Sequence, residues 1–119
     1  MSIDHAKLIE AVKREVALHW QHEVDLVGVW SSQGAVCAVY RPPSIPDRAF
    51  YGRCMTPGPG TADGTLSGMA SDFALAMAEP AGTLASRART DAHGITWFLP
   101  TPPPIPAAVE AAIRARRGL

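Results

Sequence analysis

The stretch EVDLVGVWSSQGAVCAVYR, Glu23 to Arg41, decides the fold. Its first eight residues are rich in Val and Leu and apolar on both faces, which predicts a largely buried strand rather than one with a wet side. Ser31-Ser32-Gln33-Gly34 has hairpin length, and GAVCAVYR reads as the return strand. A β-hairpin with two apolar faces needs cover on both.

Upstream, Leu8, Ile9, Val12, Val16 and Trp20 recur at a spacing near 3.6, with Lys7, Glu10, Lys13 and Arg14 mostly opposite. This predicts a helix over about Ser2–Trp20, with Ser2 as cap and Asp4 in the first turn. Downstream, RPPSIPD cannot enter a sheet interior. RAFYGRCM then reads as a third strand, with Phe50, Gly52 and Cys54 on one face and Ala49, Tyr51, Arg53 and Met55 on the other. Leu66, Met69, Ala70, Phe73 and Met77 form the stripe of a second helix, which Pro80 stops.

GTLASRART and GITWFLP flank Asp91-Ala92-His93-Gly94, a second hairpin with Gly94 at positive φ. The alternative for residues 82–90 is an irregular or helical segment. PTPPPIP is a stiff connector, and a last helix runs over about Pro106–Arg117 with Gly118 beyond. The expected fold is therefore one α+β domain over residues 1–119, an antiparallel sheet of about five strands with three helices mainly on one face. The element order is α-β-β-β-α-β-β-α. Strands one to three form a meander, and the second helix or a second copy of the chain supplies cover for the other face. That order resembles the arrangement in type III secretion chaperones. The resemblance is one of order alone, without a shared motif, and it assigns neither family nor function.

The 119 residues suit one domain, and 47% apolar with 18% charged is globular rather than disordered composition. Formal net charge is +0, so the basic surplus of a nucleic-acid binder is missing and no nucleic-acid partner is expected. The start, MSIDHAKLIE, lacks the apolar core of a signal peptide, and no run reaches membrane-span length. A cytoplasmic protein without membrane contact is the expectation, with Cys37 and Cys54 as thiols. They fall on neighbouring strands, so a disulfide between them is the alternative.

The one stretch that looks like a phosphate motif is CMTPGPGTADGTLSGM, Cys54–Met69. Gly58, Gly60, Gly64 and Gly68 miss the P-loop spacing, and no lysine follows Lys13. Asp63 stands where the dinucleotide fingerprint needs its last glycine. Asp63 or Thr65 reads better as a helix cap. His5, His19 and His22 lack the companions of a metal site, and nothing places a histidine beside either cysteine. No cofactor, metal or catalytic residue is assigned.

What remains are Arg41, Tyr51, Arg53, Arg87, Arg89 and His93, gathered around the third strand and the second hairpin. Arginine forks grip carboxylates and phosphates, and Arg with Tyr is enriched at interface hot spots. The expected function is a small non-enzymatic protein-binding module, chaperone-, immunity- or antitoxin-like, acting through a sheet or helix face as a dimer or hetero-complex. The alternative is a binder or enzyme for a small anionic ligand, with Arg53, Tyr51 and His93 in a pocket between sheet and helices.

Overall fold

A computed structural model of the chain describes residues 4–21, 23–41, 50–56, 63–77, 89–97 and 102–118. The elements follow the expected order: α1 (His5–Trp20), β1 (Asp25–Ser32), β2 (Ala35–Arg41), β3 (Phe50–Met55), α2 (Asp63–Ala76), β4 (Arg89–Thr90), β5 (Ile95–Trp97) and α3 (Ala107–Arg116). Asp4 caps α1, its carboxylate accepting from the Ala6 N–H at 2.9 Å. The expected Ser2 cap, the Pro80 stop and most of segment 82–90 lie outside the described residues, as do the side chains of 63–65.

β1 and β2 form the hairpin read from the sequence. Its turn is tighter than expected: both strands run to Ser32 and Ala35, leaving only Gln33 and Gly34 in the loop. Their φ values of 51° and 81° are those of a type I′ turn, whose twist matches the flanking strands. β2 pairs antiparallel with β3, and Cys37 stands opposite Cys54.

The expected antiparallel sheet of about five strands is corrected in one pairing and in the number of full strands. The strand order is β1-β2-β3-β5-β4, and β3 pairs with β5 in parallel, Phe50 against Ile95 and Gly52 against Trp97. A parallel pair requires a long crossover, and α2 lies in the connection from β3 to β5. Four strands of three or more residues carry the sheet. The fifth, β4, is described over Arg89–Thr90 on the far edge.

The helices are also not gathered on one face. α1 and α2 pack on each other, and their stripes of Leu8, Val12, Val16, Phe73 and Met77 join Val36, Ala38 and Tyr40 in one core layer. α3 covers the opposite face, where Val109 and Ile113 meet Val39, Phe50, Ile95 and Trp97. The second cover is thus α3 of the same chain. Tyr40 and Trp97 are almost wholly enclosed in the two layers.

A β-bulge explains how β1 serves both layers. The register with β2 shifts between Leu26 and Gly28. Leu26 and Val29 join the α1/α2 layer, whereas Val27 and Trp30 join the α3 layer. Gly28 also faces α3: a Cβ there would lie 2.7 Å from Val109 Cγ2. The extra residue resets the period-2 alternation, and the sequence reads apolar on both sides without a break.

Candidate functional site

Of the six residues singled out from the sequence, Tyr51 and Arg53 come together. They share one face of β3, towards α1 and α2. Arg53 Nε donates to Tyr40 Oη at 2.9 Å, and the Tyr40 and Tyr51 rings lie 6.5 Å apart at 30°. These side chains are part of the layer under α1 and α2 rather than a separate patch.

Arg41 belongs to the other face. It stands opposite Asp25 in the β1–β2 register, and its Nε and Nη2 donate to Asp25 Oδ2 at 2.9 and 2.7 Å. Arg116 at the end of α3 grips the same carboxylate with a fork, Nε to Oδ2 at 2.7 Å and Nη2 to Oδ1 at 2.9 Å. Arg41 and Arg117 both place their guanidinium carbons within 5.4 Å of the Phe50 ring centre. The cluster ties α3 to the sheet. Arg116 is 91 residues from Asp25 in the chain, so no local pattern points to the pair.

The Arg116 hydrogen bonds, joined by those of Arg41, hold the Asp25 carboxyl below its ordinary value, and partial burial opposes them. A carboxylate with a depressed folded-state pKa adds stability that is complete above its unfolded value of about 4. That stability is lost as pH falls through the folded value. Asp25→Asn is therefore expected to cost about 1–2 kcal/mol near neutrality, a figure reduced for the solvent reaching the group. In urea titrations across pH, the gap between wild type and variant should hold from pH 5 to 8 and close below about pH 4.

His93 lies in the turn between β4 and β5, and its backbone N–H donates to Asp91 Oδ1 at 2.9 Å. The same carboxylate accepts from Ile95 N–H at 3.0 Å and, through Oδ2, from Trp97 Nε1 at 2.9 Å. Gly94 takes φ 79° as the turn requires. Arg89 opens β4, and Arg87 lies outside the described residues. Among those residues no cluster of three His, Cys, Asp or Glu side chains could hold a metal, and no helix is long and apolar enough to cross a membrane.

The cavities lie elsewhere. One of about 460 Å³ lies beside α1, lined by Lys7, Glu10 and Arg14 together with Leu66 of α2. A groove of about 440 Å³ runs along β1. It is lined by Leu26 to Trp30 of β1, by Pro106, Ala108 and Val109 at the start of α3, and by Lys13 of α1. A third, of about 340 Å³, opens where Cys37 and Cys54 face the Pro102–Pro104 segment. None of these is lined by Tyr51, Arg53 or His93.

The groove along β1 was missed in the sequence because it depends on strand order. β1 is an outer strand of the sheet, and among the described residues no strand pairs with its free side. Seven of its eight residues, all but Ser31, are half-buried.

No protein-family model, no curated protein and no solved structure matches the chain.

Proposed function

We propose that this chain is a non-enzymatic protein-binding module that receives an extended segment of its partner along the free edge of β1. The observation that carries the reading is the groove of about 440 Å³ beside that edge. An outer strand presents a row of backbone N–H and C=O groups, and pairing with another chain satisfies them. Strand addition of this kind takes its affinity from main-chain hydrogen bonds and its selectivity from pockets for alternate side chains. Here α3 supplies a pocket wall through Pro106, Ala108 and Val109. The bulge at Val27–Gly28 kinks the strand, so the run suited to pairing is Val29–Ser32.

Ala108 is the position that separates binding from folding. It is exposed, near the start of α3, where a negative charge is favourable. Ala108→Glu should therefore fold as the wild type does while placing a charge in the groove. Native mass spectrometry of protein purified gently from its own host is expected to show a complex, with a partner protein or a second copy. The variant should weaken it by a factor of about 10 or more, the usual scale for losing one well-placed apolar contact. A monomer that carries nothing, or a complex indifferent to Ala108→Glu, would count against the β1 edge.

A further inference from the structure

The cavity at Pro102–Pro104 holds two sulfur atoms. Cys37 and Cys54 are register partners on antiparallel β2 and β3. Such partners have Cα atoms roughly 4.5–5.5 Å apart, inside the range that a disulfide bridges without backbone movement. Both cysteines are free thiols. Cys54 Sγ lies 2.7 Å from Cys37 Sγ and donates its proton to it. Both line the cavity of about 340 Å³, together with Ser32, Gln33, Thr56 and the three prolines. Cys37 is buried and Cys54 half-buried, and the cavity reaches both.

We infer that Cys37 and Cys54 form a reactive dithiol that a small hydroperoxide, entering through this cavity, converts reversibly to a cross-strand disulfide. The hydrogen bond from Cys54 selects the attacking sulfur. It lowers the Cys37 thiol below its ordinary value, and the same bond together with burial raises Cys54.

The Cys37 thiolate attacks one peroxide oxygen and the O–O bond breaks. The departing alkoxide or hydroxide takes a proton, and Cys37 becomes a sulfenic acid. Cys54, giving up its own proton, attacks the Cys37 sulfur. The S–O bond breaks and hydroxide leaves as water. Two thiols and one hydroperoxide give one disulfide, one alcohol or water, and one further water. A thiol reductant reverses the bond. Oxidation clamps β2 to β3 on the α3 side of the sheet, beside the proline segment that leads into α3.

Hydrogen peroxide is the probe, with intact-mass spectrometry after alkylation as the readout. The folded, reduced chain is expected to lose two hydrogens and both alkylatable thiols together, and to regain them with dithiothreitol. Cys54→Ser cannot close the bond, so it should accumulate a Cys37 sulfenic acid that dimedone traps. A melting curve establishes that this variant is folded, and Cys54→Ala replaces it if it is not. Two outcomes would overturn the proposal. One is two thiols still alkylatable after a free dithiol in the same tube is consumed. The other is a wild-type chain that gains oxygen as sulfinic acid instead of losing hydrogen. Absence of the dimedone adduct would overturn Cys37 as the attacking sulfur.

Discussion

Gly52→Ala is expected to destabilise the protein by about 3 kcal/mol, towards the upper end for one added methyl group in a packed core. Gly52 sits on β3 directly beside Trp97 on β5. A Cβ at Gly52 would overlap the six-membered ring of Trp97, lying 2.5 Å from Cδ2 and nearer still to Cε3 and Cζ3. An indole free to swing could make room. Trp97 is not free: it is fully buried, Asp91 holds its Nε1–H, and Trp30 stands edge-on with ring centres 6.2 Å apart. Glycine-to-alanine changes gain up to about 1 kcal/mol by restricting the unfolded chain, too little to offset the clash. Thermal melting should show a fall of roughly 10–15 °C. A neutral Gly52→Ala would mean that the indole does not lie on this strand.

Trp97→Ala should cost about 4 kcal/mol, within the range for truncating a buried aromatic side chain. It empties the centre of the α3 layer and leaves Asp91 Oδ2 without its indole donor, which loosens the turn that β4 and β5 share. Urea unfolding measures the loss. The two sites are coupled through one volume, so their effects should not add. In the Trp97→Ala background, Gly52→Ala has no ring to strike and should become close to neutral. Additive costs in the double variant would separate the two residues and dissolve the proposed packing.

Much of this core was legible in advance. The stripe from Leu66 to Met77, the helix ending at Trp20 and the split of β3 into a Phe50-Gly52-Cys54 face and a Tyr51-Arg53 face all follow from side-chain period. Period reports which residues share a face. It does not report which strand lies beside which, and that is where reading stopped. The parallel β3–β5 pair puts Trp97 over Gly52, and nothing near either residue announces the other. The same holds for the Asp25–Arg116 fork, made between chain segments 91 residues apart. The apolar doubling of β1 was visible, but its cause, a bulge, depends on the register with β2. Cover by α3 was missed because an amphipathic helix states that it needs a surface without saying which one. Arg41 was singled out as a candidate binding residue, and the carboxylate it grips belongs to this chain.

With α1 and α2 on one side and α3 on the other, both broad faces of the sheet carry helices. At the far edge of the sheet the outer strand is β4, described over Arg89–Thr90. The other outer strand is β1, and the groove beside it is where the proposed extended partner would pair.

Amide hydrogen exchange of the isolated chain, resolved by residue and measured at a dilution where it is monomeric, tests that edge most directly. The expected result is alternation along Val29–Ser32. N–H groups directed at β2 should exchange slowly, and those directed outward should exchange about 100-fold faster or more, as open edges do. The fast set should slow when the complex forms. Uniform protection of the whole strand in the monomer, at the rate of β2, would contradict the account, because the edge would then already be filled.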